Sequence, residues 1–351
     1  MLLYLHIPYC DSKCHYCSFN SYVDRFDTRK VYMKALYEQL QNELERFEAG
    51  SSSIETLFIG GGTPSTIDPE LYQRIFELVT PYLTADAEIT TEANPNSADR
   101  QWLQGMKELG INRVSFGVQS FDSTKLKVLN RAHDPKEAIQ AIETAYTLGI
   151  EHLSLDLIYN VRGDTKALLN SDIEQAFSLP IDHISAYELT IEPETHFAKN
   201  PSVKLENEAL ARFVSQSIDA RGFAPYEISN FGTYQSRHNR GYWQLKNYIG
   251  AGAGAVGFLD EKRFYPRKDI DAYLSNPLIV EEELLSVEEF QTEKIFLGLR
   301  STIGVSQEDL GPEMRVRADY LVDKGKLLLH DERYQNPDFF LADELALYLL
   351  G

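Results

Sequence analysis

All three cysteines of the chain fall within one short stretch, "HIPYCDSKCHYCSFN" at positions 6 to 20, as Cys10, Cys14 and Cys17. The spacing is C-x3-C-x2-C, and three soft thiolates so close together suggest a metal or a metal cluster. A structural role is the plainer alternative, since this spacing on a helix forms one apolar stripe and buried free cysteine is common. Asp11, Ser12, Lys13, His15 and Tyr16 stand between the cysteines, however, and Pro8 lies just ahead, a polar composition that reads as a loop. Zinc is a second alternative, with His6 or His15 completing a tetrahedral set. Zinc fingers and knuckles usually draw on a second cysteine pair some distance away, and this chain has none. The third is an iron–sulfur cluster. A [4Fe–4S] cube normally takes four thiolates. Three leave one iron open to an outside ligand, as an open position distinguishes catalytic from structural zinc.

The surrounding sequence must position such a loop. Short β-branched or aliphatic runs occur at 2–7, 56–60, 87–93, 113–119, 152–159 and 183–190. Amphipathic stretches lie between them, including 31–47, 71–83 behind Asp68-Pro69, and 138–148 behind Asp134-Pro135. Another spans 205–221, ending before Gly222. Six strand–helix units in a row predict an α/β fold built on a parallel sheet, either open or curved into a barrel. Six are too few for a complete eight-stranded barrel, although "FAPYEIS" at 223–229 is a candidate seventh strand. A change of composition near Arg267 divides the chain into residues 1–266 and a smaller α+β domain at 267–351. In the latter, 285–300 reads as a helix and 321–334 as a helix end leading into a hairpin.

In a parallel sheet or barrel, ligands sit at the C-terminal ends of the strands. The first strand runs straight into the cysteine loop. The second ends in Gly60-Gly61-Gly62-Thr63-Pro64, where bare backbone can approach a ligand. Glu92, Gln119, Asp156, Tyr187 and Glu188 stand at or near the ends of the next four. Each alone is as well explained by a tight turn or a solvated carboxylate. Polar groups at the same end of nearly every strand together point to a site.

These residues carry a resemblance. The C-x3-C-x2-C loop, with Tyr16 before its last cysteine, resembles the signature of radical S-adenosylmethionine (SAM) proteins. The fuller "YLHIPYCDSKCHYCSF" is similar to the branch that holds oxygen-independent coproporphyrinogen III oxidase. "FIGGGTPS", "TTEANP", "SFGVQSF", "LNRAH" and "SLDLIY" match the family's motifs in order and approximate spacing. The resemblance implies a partial (β/α)6 barrel in which Cys10, Cys14 and Cys17 hold a [4Fe–4S] cluster, with SAM on the fourth iron. It further implies SAM contacts at Tyr4, Tyr16, Gly61, Gly62, Thr63, Glu92, Gln119, Arg131 and Asp156. An arginine fork at 131 suits the methionyl carboxylate. Glu92 or Asp156 suits its amino group or the ribose hydroxyls.

Two departures set the chain apart from the decarboxylating oxidases. Phe19 stands where they carry a further cysteine, and the chain begins almost at its first strand. "RHNRGYW" at 237–243, by contrast, resembles the H-N-x-x-Y-W motif of HemW-type haem chaperones, with His238, Asn239, Tyr242 and Trp243 in the motif positions. A histidine near Tyr and Trp can supply an axial nitrogen and flat apolar surface to a porphyrin. The same residues are equally suited to ordinary packing. The motif's place before the small domain suggests a surface or interdomain site. The resemblance thus implies a haem-binding protein that delivers haem to acceptor proteins and draws on an electron donor for its cluster. Coproporphyrinogen III oxidation and a zinc-stabilised binding protein are the alternatives. "GAGAVG" at 252–257 fits a dinucleotide-binding pattern, but "FLDEKRFYPRKD" after it begins no helical repeat, and close packing is the expected purpose.

The formal charge of −19 argues against a nucleic-acid partner. No apolar run approaches the ~20 residues of a membrane span, and "MLLYLHIPYC" lacks the basic leader of a signal peptide. Clustered cysteines rather than distributed pairs point to a reducing compartment, and the expected location is the cytoplasm. Peripheral membrane association and homodimer formation stay open.

Overall fold

A computed structural model describes residues 1–351. Strand and helix alternate through six units, and each strand takes its helix on the way to the next. The order is β1 (Leu2–Ile7), α1 (Arg29–Arg46), β2 (Ile54–Gly61), α2 (Pro69–Val79), β3 (Leu83–Ala93), α3 (Arg100–Glu108) and β4 (Arg113–Gln119). It continues with α4 (Ser123–Leu129), α5 (Pro135–Thr147), β5 (His152–Tyr159), α6 (Lys166–Phe177), β6 (His183–Glu188) and α7 (Glu208–Asp219). Strands β1 to β6 are hydrogen-bonded in sequence order and all parallel. Their near-continuous apolar character follows from burial on both faces: Leu3, Leu5, Leu57, Ile59, Val114, Phe116, Leu155 and Ile184 are all fully buried. The partial (β/α)6 barrel expected from the sequence is therefore present.

Helix starts are set by side chains legible in the sequence. Asp134 accepts from the backbone N–H groups of Lys136 and Glu137 while Glu137 returns the bond, forming a capping box behind Pro135. Asp99 caps α3 by accepting from the Trp102 N–H. That helix buries Trp102, Leu103 and Met106 against the sheet.

Beyond the sixth unit the chain departs from a simple repeat. "FAPYEIS" forms β7 (Pro225–Glu227), which pairs antiparallel with β8 (Asn230–Gly232); β8 in turn lies antiparallel on β6. This segment thus supplies no parallel seventh strand, because only two residues separate β7 from β8 and so tight a turn reverses the chain. Helix α8 (Arg237–Trp243) follows, and β9 (Tyr248–Ala251) then returns to pair parallel with β1 on its open edge. Next come β10 (Gly257–Leu259), β11 (Lys262–Pro266), α9 (Ile270–Ser275) and β12 (Val280–Leu284), whose strands extend this edge antiparallel. The large sheet therefore runs to Leu284. A separate apolar core draws on residues from Ile295 to Leu349. It is built by α10 (Val287–Leu299), α11 (Pro312–Asp323) and α12 (Ala342–Leu350) around a small antiparallel sheet.

The glycines of "GAGAVG" and Gly250 before it serve close approach. A Cβ on Gly250 would overlap the Val256 carbonyl oxygen, and one on Gly252, at φ +116°, would meet the His6 carbonyl oxygen at 2.6 Å. Packing of backbone on backbone is what these positions require.

Candidate active site at the barrel mouth

The cysteine loop leaves β1 at Pro8 and closes on itself. The Cys10 N–H donates to the Tyr22 carbonyl at 3.0 Å and the Tyr22 N–H to the Pro8 carbonyl at 2.8 Å. Its outer turn is tied to two other strand-end segments. The His15 N–H donates to Leu129 O at 3.2 Å, Asn130 Nδ2 to Lys13 O at 2.8 Å, and the Phe197 N–H to His15 O at 3.0 Å. Thr63 Oγ1 donates to Cys10 Sγ at 3.3 Å and Arg131 Nη1 to Cys14 Sγ at 3.1 Å. Burial pushes the Cys10 and Cys17 thiols up, and nearby cysteines add to it.

No three His, Cys, Asp or Glu side chains are gathered closely enough to hold a single metal ion. His6 is also committed elsewhere: its Nε2–H donates to Asn20 O at 2.8 Å, so Nδ1 accepts from Tyr4 OH at 2.9 Å. A zinc ion would need all its ligands within about 2.3 Å of one point. In an iron–sulfur cube each thiolate reaches a different iron, which suits a wider spread. The donor set fits a cluster and does not fit mononuclear zinc.

Around the loop, the glycines at the end of β2 permit contact that side chains would block. The Gly61 N–H, at φ +115°, donates to Glu92 Oε2 at 3.1 Å, and a Cβ there would strike the His6 ring at 2.6 Å. A Cβ on Gly62 would meet the Tyr9 carbonyl oxygen at 2.7 Å. These two glycines thus let β2 run close beneath the cysteine loop. Arg131 follows Asn130, which ends α4 in the left-handed conformation. Its Nη2 donates to Asn94 Oδ1 and to Gly117 O, both at 2.6 Å. Asn94 donates in turn to Thr63 Oγ1 at 3.1 Å, so a continuous chain of hydrogen bonds joins Cys10 to Cys14 through Thr63, Asn94 and Arg131. Arg131 Nε and Gln119 Oε1 are buried without partners. Gln119 also has φ +65°, at a register shift where β4 ends, a sparsely populated backbone state typical of functional sites. Unsatisfied buried atoms beside three thiols fit a polar ligand such as SAM. Tyr16 packs against a satellite apolar cluster that includes Leu129 and Phe197.

Below this mouth lies an internal cavity of about 180 Å³, lined by Tyr4, Glu92, Arg113 and Asp156 together with His238 and Tyr242. Burial, and then the Asp156 charge, hold the Glu92 carboxyl up at about 7. Burial likewise raises Asp156 to about 6, opposed by Ser185, Arg113, Arg131 and Ser115. Arg113 is 2% exposed, and its Nε has no partner. Its guanidinium is the positive charge that both carboxylates share. A broader hollow of about 440 Å³ lies outside the barrel between α1 and α2, where Arg74 stacks on Tyr37, far from these groups.

The sequence singles out neither Asn94 nor Arg113. Asn94 is visible only as the residue after Glu92 and Ala93 at the end of β3. Arg113 shows only as a charge opening an otherwise apolar strand.

The "RHNRGYW" segment is α8, and it forms the floor of the barrel at the N-terminal ends of the strands. His238 is 1% exposed. Its Nδ1 is hydrogen-bonded with Thr56 Oγ1 at 2.7 Å and its Nε2 with Tyr242 OH at 2.9 Å. Burial lowers its pKa to about 3 and keeps the ring neutral. The Glu88 carboxylate accepts from the N–H groups of Arg237 and His238 and from Tyr234 OH. Asn239 lines the cavity, and Trp243 packs on Tyr226 with ring centroids 5.6 Å apart. Tyr242, Tyr248 and Phe258 continue as an aromatic series to Phe290 of α10. The motif therefore does adjoin the C-terminal region, but its histidine faces inward with both nitrogens engaged.

Residues 4–176 match the model of the radical SAM superfamily. The chain is 34% identical to the heme chaperone HemW of Bacillus subtilis over 87% of its own length and 84% of the relative's. It is 39% identical to the heme chaperone HemW of Escherichia coli over 73% of this chain and 69% of the relative. Among solved structures, coproporphyrinogen III oxidase from Escherichia coli superposes with a TM-score of 0.82, covering 99% of this chain and 89% of that one at 20% identity. That likeness establishes the fold. No helix is long and apolar enough to cross a membrane.

Proposed function

This chain belongs to the radical SAM superfamily and, within it, to the HemW haem-chaperone family, and from that premise we propose that it binds haem and passes it to acceptor proteins. The observation that carries the reading is the identity of 34–39% to haem chaperones over most of the chain, found together with an intact cysteine loop and strand-end site. Cys10, Cys14 and Cys17 are assigned to a [4Fe–4S] cluster. When bound, such a cluster offers an open iron to SAM and an electron for its reduction.

The chain's own residues then have distinct tasks. Thr63 and Arg131 donate to the Cys10 and Cys14 sulfurs and so orient them. Arg131, fixed in place by Asn94 and Gly117, also keeps a buried, unpartnered Nε as a donor for a polar ligand. Glu92 and Asp156 supply acceptors beneath it, and Tyr4, Tyr16, Gly61, Gly62, Thr63 and Gln119 shape its walls. Because the thiols must stay reduced, the cytoplasm is the fitting location. The oxidase reading gains no support beyond the shared fold, since Phe19 occupies the place of the further cysteine.

The test is anaerobic reconstitution followed by metal analysis and spectroscopy of the reduced cluster with and without SAM. About four irons per chain and a signal altered by SAM are expected. Stoichiometric zinc without iron would remove the cluster assignment.

A further inference from the structure

Two groups at the barrel mouth, Gln119 and Arg131, stand at the two ends of one short segment. Gln119 closes β4 with φ +65°, where the register on β5 shifts. So uncommon a backbone state persists only where its surroundings over-determine it. Arg131 follows α4, and its N–H donates to Leu126 O at 2.9 Å. Whatever fixes residues 120–130 therefore sets both groups.

A buried ion cluster supplies the fastening. Lys125 Nζ lies 2.9 Å from Asp164 Oδ1 and 3.9 Å from Asp172 Oδ2, and the three side chains are only 3%, 1% and 5% exposed. Lys125 belongs to α4, Asp164 to the turn after β5, and Asp172 to α6. Asp172 also grips the chain just past Gln119: its Oδ1 accepts from the Phe121 N–H and its Oδ2 from the Ser120 hydroxyl, both at 2.7 Å. Ser120 Oγ accepts in turn from the Asp122 N–H at 3.0 Å, and Asp122 caps α4 by accepting from the Lys125 N–H at 2.7 Å. Asp164 is fixed by accepting from the Val161 N–H at 3.0 Å. Two carboxylates thus share one ammonium. Burial pushes the Asp172 carboxyl up, opposed by Lys125 and by the Phe121 and Ser120 bonds. Apolar side chains of similar volume would fill this space at a lower desolvation cost. They could not supply directed acceptors for the turn after Gln119.

We propose that Asp172, together with the Lys125–Asp164 pair, is the positioning unit of the SAM site, holding Gln119 in its turn and setting where α4 delivers Arg131. This rests on the SAM-site reading above and deepens it. None of the three residues lines the barrel cavity, so they act through Gln119 and Arg131 and not on the ligand itself. Asp172 provides most of the hold, because it alone reaches Ser120, Phe121 and Lys125 together.

The test is an anaerobic SAM titration of the full-length, cluster-loaded protein, read by the reduced-cluster signal, with iron content and melting temperature measured in parallel. Asp172→Ala should weaken SAM binding by about tenfold to a hundredfold, the scale of a displaced positioning group, and retain about four irons per chain. Asp172→Asn keeps an acceptor for the Phe121 N–H, offers its amide to Ser120 Oγ and leaves Lys125 to Asp164. Its SAM affinity should stay within about threefold of the wild type. Ile173→Ala opens a cavity beside Asp172 on the same helix, and should lower the melting temperature while leaving SAM affinity unchanged. If Asp172→Ala does not fold, Ser120→Ala reads the same link through the loss of one hydroxyl and should weaken SAM severalfold. Unchanged SAM affinity in the variant at 172 or 120 that removes the link would overturn the proposal. So would an equal loss in Ile173→Ala, or Asp172→Asn binding as weakly as Asp172→Ala. A wild type whose reduced cluster does not respond to SAM would instead overturn the SAM-site reading, and this proposal with it.

Discussion

Replacing Glu92 by Gln should make the protein more stable at neutral and alkaline pH. Glu92 lines the barrel cavity half-buried, accepts one hydrogen bond from the Gly61 N–H, and lies near Asp156 and the buried Arg113. Its carboxyl is raised from 4.5 to about 7, chiefly by burial and then by Asp156. The folded state therefore holds this proton more tightly than the unfolded chain. Its contribution to stability is full below pH 4.5 and is lost as pH rises to about 7. That rise corresponds to about 3 kcal/mol. Glutamine keeps an acceptor for Gly61 and carries no charge, so its stability lacks this slope. Asp156, raised to about 6, still titrates in both proteins at lower pH. Urea unfolding of the SAM-free protein from pH 5 to 8.5 should show the variant gaining about 2–3 kcal/mol on the wild type across that range. Parallel curves for the two proteins would refute the account of Glu92 as a carboxyl held up by its surroundings.

Two other substitutions probe the barrel mouth. Arg131→Lys keeps the charge but cannot bridge Cys14, Asn94 and Gly117 at once, so SAM affinity should fall about tenfold to a hundredfold with iron content preserved, read by SAM titration of the reduced cluster signal. Gly62→Val places a side chain where Tyr9 O lies 2.7 Å from the would-be Cβ; the cysteine loop must shift, and iron incorporation measured after reconstitution should drop together with SAM binding.

The six parallel strands were legible because strands buried on both faces are nearly continuous apolar runs, and Leu2–Ile7, Arg113–Gln119 and His152–Tyr159 keep the bounds read from sequence. The return of β9 onto β1 was not legible. "YIGAGAGAVGF" is short and glycine-rich, and its strand character depends on pairing with β1, which no local pattern records. The large sheet also gains β12 after the apparent composition change, since "VEEEL" is four-fifths exposed and reads as surface. At the site, cysteine spacing marks the loop as a candidate for a metal cluster because that chemistry needs specific residue types. Asn94 and Arg113 escaped notice because their importance lies in what surrounds them after folding: a hydrogen-bond chain between two cysteines, and a pair of carboxylates lining the barrel cavity. The haem motif shows the converse. His238 has the residue type for ligation, but Thr56 and Tyr242 occupy both its nitrogens, and neither partner is adjacent in sequence.

The measurement that bears most directly on the central claim compares haem binding with porphyrinogen turnover in one anaerobic, cluster-loaded preparation. Hemin titration should saturate at about one haem per chain, while coproporphyrinogen III incubated with reductant and SAM should remain unconverted. SAM-dependent formation of protoporphyrinogen, or hemin uptake that never saturates, would contradict the assignment of this protein as a haem chaperone.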